Sequence, residues 1–404
     1  MYRASLLPIA SLVLIVLGSQ FFSSFFNCYL KALGIDQVYA GFLHAGFYGG
    51  MLFGSMVAPW LIAKLSHARS FAIATAFSGF AILSIYLANS FLLWLAMRIL
   101  AGGALGIAYV TVEGWLLYFA GESQRGRAFA LYMVALYLSQ TCSQLLRGWI
   151  LMEEAIPFIV AALFCLLATL PLLCEERLLY CRTEQEPLVL SGMREMLYKT
   201  PLGVFGCFLS GMLLSGIYSF LAPFALSLSL PDYYMMGATI FGGVCGQMPL
   251  GFLSDRFDRQ KVLIASSILL LVPVTLLLLY PFGYMPYLYA FFLGMLAFTL
   301  YPQSTAVICE QQPSSAVTAA CGVAAVGYGL GAVIAPLLLG VWISYAGEMA
   351  LLYFLSILLQ LFLVYAFASS LLTRWWRGRG ETISIVDVAP APIQLSYDQP
   401  PSPS

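Results

Sequence analysis

Residues Gly251-Phe-Leu-Ser-Asp255-Arg256-Phe-Asp258-Arg259-Gln-Lys261 crowd five charged side chains between two long apolar runs, 234–253 and 261–280. A helix needs about 20 predominantly apolar residues to cross a bilayer. The stretch therefore reads as a short polar loop between two membrane spans. The same alternation of apolar run and short loop continues in both directions. It gives spans at 5–28, 39–62, 70–87, 92–118, 127–149 and 155–174, then 201–226, 234–253, 261–280, 285–309, 316–345 and 348–372.

Threading these about twelve spans alternately, from an inside N-terminus, sorts the basic residues. Fifteen of the eighteen Lys and Arg residues fall on one side: Arg3, Lys64, Arg69, Arg125, Arg127, Arg177, Arg182, Arg194, Lys199, Arg256, Arg259, Lys261, Arg374, Arg377 and Arg379. Lys31 and Arg147 fall on the other side, and Arg98 lies within a span. Positive charge in short loops marks the cytoplasmic face. One misplaced span would scramble every later loop, so the asymmetry supports both the count and the orientation. The expected protein is an all-α, multi-pass integral membrane protein with both termini in the cytoplasm.

Composition agrees. Hydrophobic residues make up 61% of the chain and charged residues 9%, against roughly 25% charged in soluble domains. No basic tract suggests a nucleic-acid partner; the lipid bilayer is the expected one. The apolar run from Leu6 to Phe26 after Arg3 lacks a small-residue cleavage site, so it reads as the first span rather than a signal peptide. The nine cysteines are scattered with no CxxC, supporting neither a disulfide framework nor a zinc site. No metal and no cofactor is expected. The absence of H-E-x-x-H, and of Ser/His pairing in neighbouring spans around His44 and His67, argues against an enzyme.

The spans divide into two sets of six around the polar stretch 175–200. That division gives a first bundle at 1–174, a linker at 175–200, a second bundle at 201–372 and a tail at 373–404. The tail ends APAPIQLSYDQPPSPS, too poor in apolar surface to fold. The two sets echo each other. The loop 251–261 corresponds to Pro59-Trp-Leu-Ile-Ala-Lys64-Leu-Ser-His67-Ala-Arg69, and Gly103-Ala-Leu-Gly106 to Gly294-Met-Leu-Ala297.

The segment Gly251 to Lys261 resembles the loop signature G-x-L-[SA]-D-R-x-G-R-[RK] of the major facilitator superfamily. Arg98-Ile-Leu-Ala-Gly102-Gly-Ala-Leu-Gly106 is similar to that superfamily's helix-4 signature, R-x-x-Q-G-x-G. Val112-Glu113, Arg125-Gly126-Arg127, Tyr132-Met133 and Phe298-Thr-Leu-Tyr301-Pro302 resemble its bacterial YcaD-like subgroup. Asp258 stands where the loop signature has glycine, Ala101 where the helix-4 signature has glutamine, and Ala63 where the first-half loop has an acid. The resemblance, covering roughly 5–372, implies the major facilitator fold: two pseudo-symmetric six-helix bundles. It implies a monomeric secondary transporter of a small-molecule solute in the bacterial inner membrane, working by alternating access and coupled to protons. Parallel six-helix repeats belong to that transporter class, and no G-x-x-x-x-G-K-[ST] loop for ATP is present. A membrane receptor or regulator with the same fold is the alternative.

Charged groups within spans are costly and therefore functional candidates. Glu113, in the run Ile107 to Phe119, is the first candidate for proton coupling; otherwise it is a structural glutamate bonded to a neighbouring helix. Arg98, 15 residues earlier, lies about 22 Å away along one helix and cannot pair with it. Its two readings are conformational or proton coupling, which the resemblance implies, and a packing anchor. His44 suits proton exchange, or a plain interfacial hydrogen bond. Tyr137, Gln140, Gln144 and Arg147 share one helical face, which reads as cavity lining or interhelical bonding. Gln20, Asn27, Tyr218, Gln247, Tyr301 and Gln303 complete the cavity candidates. Gly251, Asp255, Arg256, Arg259 and Lys261 form the expected gating loop. Gly327, Gly329, Gly331, Pro336 and Gly340 would let the eleventh span pack closely and bend.

Overall fold

The computed structural model describes residues 2–87, 90–119, 125–150, 155–173, 200–312 and 316–378. The expected linker at 175–200, apart from Thr200, and the tail beyond 378 lie outside the described residues. The chain forms two units, 1–363 and 364–404. The packing and the cavity described below belong to the first, and the second carries the end of the last helix.

The described residues are helical and include no strand. In chain order the helices are α1 (Tyr2–Ala32), α2 (Gln37–Leu65), α3 (His67–Leu87), α4 (Phe91–Phe119), α5 (Arg125–Arg147) and α6 (Ile156–Leu167), the last extended by a turn at Leu170–Leu173. They continue with α7 (Pro201–Ser227), α8 (Asp232–Arg256), α9 (Arg259–Leu279), α10 (Met285–Glu310), α11 (Val317–Ala346) and α12 (Ala350–Gly378). Ten of the described helices are long and apolar enough to cross a membrane. The two that do not qualify are instructive. The polar residues along α5 lower its mean hydropathy, and α6 with its extension, Ile156–Leu172, is short.

The packing repeats with an offset of six helices. In the first set α2 packs on α4, α3 on α4, and α1 on α5; in the second α8 packs on α10, α9 on α10, and α7 on α11. Small residues in α4 and α10 make the closest crossings possible. A Cβ on Gly102 would sit 1.9 Å from the Phe47 carbonyl oxygen, and one on Gly294 would sit 1.7 Å from that of Thr239. Small residues at a crossing let membrane helices touch backbone to backbone. Between the sets, α2 packs on α11, α5 on α8 and α1 on α7.

Helix ends follow local chemistry. Asp258 caps α9 by accepting from the Lys261 backbone N–H at 3.1 Å. Gly347, at φ 74°, ends α11 in the left-handed conformation while its N–H donates to the Ile343 carbonyl at 2.8 Å. That turn sets Glu348 at the same end of the molecule as the last turn of α1.

Candidate functional site

A cavity of about 330 Å³ lies between the two sets of helices. Its walls come from α1, α2, α4 and α5 on one side and α7, α8, α10 and α11 on the other. That volume is at the lower end of the range for small-molecule sites.

Of the residues singled out from sequence, Glu113, Arg98, His44, Gln20, Asn27, Tyr137, Gln140, Gln144, Tyr218 and Tyr301 all line this cavity. Gln247 and Gln303 do not. Gln247 spends its amide on the Phe298 carbonyl at 3.3 Å, and Gln303 donates to Thr299 Oγ1 at 3.3 Å. Both are taken up within the second set. The α5 face splits: Tyr137, Gln140 and Gln144 reach the cavity, whereas Arg147 turns to a contact at its end. Tyr48, Tyr109 and Tyr328 also line the cavity. They carried no signal in the sequence, because an isolated tyrosine in an apolar run does not disturb the pattern.

Aromatic rings bridge the two sets across the cavity. Phe298 of α10 meets Tyr137 of α5 at 5.5 Å and Tyr218 of α7 at 5.6 Å between centroids. The Tyr218 hydroxyl donates to Gln140 Oε1 at 2.6 Å, and Asn27 Nδ2 donates to the Tyr218 carbonyl at 2.8 Å. His44 is buried, with its ring edge-on to Phe220 at 5.5 Å.

Arg98 is 2% exposed. Its guanidinium carbon lies 4.3 Å from the Phe47 centroid, 5.2 Å from Phe26 and 6.0 Å from Phe22. Its Nε has no hydrogen-bond partner, and no described carboxylate forms an ion pair with it. Such ring contacts contribute about 0.5–2 kcal/mol each, against a cost of at least about 2.5–3.5 kcal/mol for a charge at mid-membrane depth. Together the three rings offset a cost of that order, and they leave Nε without a hydrogen-bond partner.

One end of the cavity is shut by contacts that cross between the sets. Arg147 of α5 is ion-paired with Asp232 at the start of α8, and also donates to Ser24 Oγ at 3.0 Å. The Cys28 thiol donates to the same Asp232 carboxylate at 3.2 Å. Lys31 Nζ pairs with Glu348 Oε1 at 2.6 Å and donates to the Pro223 carbonyl at 2.8 Å. Beside them α2 and α11 touch through Gly41 and Gly340, where an added Cβ would lie 2.5 Å from the Pro336 and Gln37 carbonyl oxygens. Lys31 and Arg147 were the two cations left on the minority side of the charge count. Their partners escaped notice because Asp232 reads as an ordinary helix-start acid and Glu348 as an ordinary loop acid.

At the opposite end, the residues of the expected gating loop engage their own set. Arg259 lies 3.6 Å from Asp255 and 3.9 Å from Glu310, and donates to the Ala306 carbonyl at 3.5 Å. Arg256 stacks over Phe252 at 4.3 Å, and Lys261 lies 3.9 Å from Asp258. A Cβ on Gly251 would meet nothing within 4 Å. The described ion pairs at this end stay within one set; those at the Lys31 end cross between sets.

The sequence profile of the Major Facilitator Superfamily matches residues 9–245 and 233–383, nearly the whole chain. The protein belongs to the Major Facilitator Superfamily. Its relatives include an MFS-type transporter of Yersinia pestis, 29% identical over 340 residues, which cover 83% of this chain and 87% of the relative. The MFS-type transporter YcaD of Escherichia fergusonii is 27% identical over 339 residues, with the same coverage. A crystal structure of the nucleoside transporter NupG, in a mutant form, superposes with a TM-score of 0.75, covering 90% of this chain and 98% of that one at 12% identity. The shared architecture is the major facilitator fold of two pseudo-symmetric six-helix bundles, and the protein is a multi-pass membrane transporter of that superfamily.

Proposed function

We propose that this transporter moves a small solute through the central cavity by alternating access, coupled to protons through Glu113. The observation that carries the reading is the asymmetry of the closure. One cavity is walled by both bundles, and the described charged contacts that cross between them gather at the Lys31 end. Such contacts bias a two-state equilibrium whose states differ by only a few kcal/mol. In this reading the two bundles, 1–174 and 201–372, rock about the cavity, with 175–200 as their linker and 373–404 as a cytosolic tail. The Lys31 end faces the periplasm, because the opposite end carries the positive loops. The membrane is the bacterial inner membrane, and the transporting unit is a monomer.

Glu113 half-lines the cavity wall, with no ion pair among the described residues. A carboxyl so placed is suited to take up and release a proton during the cycle. The loop Gly251–Lys261 gates the Asp255 end when the bundles close there. Proteoliposomes carrying an imposed proton gradient test this with a panel of solutes that includes nucleosides, organic acids and amines. The expected result is gradient-driven flux that Glu113→Gln uncouples. Gradient-independent exchange of equal rate in both proteins would contradict the coupling; binding with no flux of any kind would favour a receptor.

A further inference from the structure

We propose that the cavity binds an organic anion, holding a carboxylate on Arg98 and the solute's apolar body among the cavity rings. The inference rests on the transport reading and adds the chemical class of the solute. It starts from the unequal distribution of charge around the cavity. Arg98 is buried at the wall, backed by Phe22, Phe26 and Phe47, with Nε unpartnered. Arg147, the other cavity-end guanidinium, already has the Asp232 carboxylate. Glu113 is the lining carboxylate, but it sits 15 residues further along α4, about 22 Å away. Arg98 is thus a cation at the cavity wall, with Nε unpartnered and no carboxylate among the described residues paired with it.

A guanidinium presents a planar fork of donors, which matches the two oxygens of a carboxylate. A neutral solute would leave that fork unused, and a cation would be repelled by it. The remaining walls define the rest of the solute. Phe47, Met51, Leu105, Leu214 and Phe298 offer apolar surface. Asn27 and Gln144 line the cavity, and their amide oxygens are buried without partners. They call for hydroxyl or amine donors on the solute.

The probes are 3-phenylpropanoate and its 4-hydroxy derivative, with 3-phenylpropanamide and 3-phenylpropylamine as the neutral and cationic isosteres. Thermal melting of the purified, detergent-solubilised full-length transporter reads binding without requiring flux. Both acids are expected to raise the melting temperature in a saturable way, the hydroxylated one at lower concentration, while the amide and amine do not. Arg98→Gln is expected to weaken acid binding at least tenfold, and Arg98→Lys less. Gln144→Glu, which adds a like charge without touching Arg98, is expected to weaken the acids also. If the variants do not fold, the comparison of acid, amide and amine on the unaltered protein decides alone. The inference is overturned if amide or amine binds as well as the acid, if Arg98→Gln binds acid undiminished, or if neither acid binds. Acid binding without flux leaves the anion site standing and removes transport. Flux confined to neutral or cationic solutes does the reverse.

Discussion

Arg147 of α5 and Asp232 of α8 form an ion pair across the two bundles, with side chains only 7% and 5% exposed. Removing one member of such a pair leaves the other charge buried and uncompensated, a loss of about 3–5 kcal/mol. Asp232→Asn is therefore expected to open the Lys31 end. Cys28, whose thiol donates to the same carboxylate, reports the change. With the other cysteines replaced, Cys28 is expected to react faster with a membrane-impermeant maleimide in Asp232→Asn. An unchanged labelling rate would mean that this pair does not hold the end shut.

The second contact at that end depends on pH in a defined direction. Burial pushes the Glu348 carboxyl up, but the hydrogen bond and positive charge of Lys31 outweigh it, and the group lies below its ordinary value. A depressed carboxyl stabilises the state that depresses it above the ordinary glutamate pKa of about 4.3, and loses that effect as pH falls through the lowered value. The contact is expected to be constant from pH 8 to 5 and to fail only in stronger acid. Both partners are partly exposed, so it is worth about 0.2–1 kcal/mol. The difference in melting temperature between the unaltered protein and Glu348→Gln is expected to stay constant from pH 8 to 5 and to vanish in stronger acid. A difference that already shrinks at pH 6–7 would contradict this.

Two glycines distinguish packing from gating. At Gly102 an added Cβ would lie 1.9 Å from the Phe47 carbonyl oxygen, whereas at Gly251 it meets nothing within 4 Å. Gly102→Ala is expected to lower stability by about 1–3 kcal/mol through overpacking. Gly251→Ala is expected to leave melting unchanged or raised, since alanine favours the helix by about 1 kcal/mol. If Gly251 serves the closure of the Asp255 end, its alanine variant loses flux while keeping its stability.

Arg98 separates an anchor from a binding group. Arg98→Met keeps the stem that packs against Phe47 and removes the buried charge. Replacing a buried charge by an apolar side chain is often neutral or stabilising, so the melting temperature is expected to hold or rise while organic-acid binding is lost. A clear fall in melting would make Arg98 a structural anchor instead.

Much of the architecture was written into the loop residues. The five charges from Asp255 to Lys261 and the basic residues of the other short loops marked the helix ends, because a charge has few places in lipid. Two spans were less plain. The face from Tyr137 to Arg147 lowers the mean hydropathy of α5, since those residues turn inward, and α6 is interrupted at Ala168 and Thr169. Arg98, Glu113 and His44 stood out for the same reason the loops did. That they share one cavity depends on how α2 crosses α4, which no single helix encodes. Gln247 and Gln303 show the limit: a polar side chain in a span is as well served by a neighbouring carbonyl or hydroxyl as by a cavity. Asp232 and Glu348 stayed hidden because their partners lie more than eighty residues away in sequence, at Arg147 and Lys31.

Alternating access is tested most directly by distances measured at both ends of the same protein. Spin labels are placed at Tyr39 and Tyr345 for the Lys31 end, and at Lys64 and Gln260 for the Asp255 end, all exposed positions. Pulsed dipolar spectroscopy in lipid then compares the parent with Asp232→Asn. The expected result is opposite movement: the Tyr39–Tyr345 distance lengthens while the Lys64–Gln260 distance shortens. Distances that change together, or at one end alone, would contradict a rocking exchange between two closures.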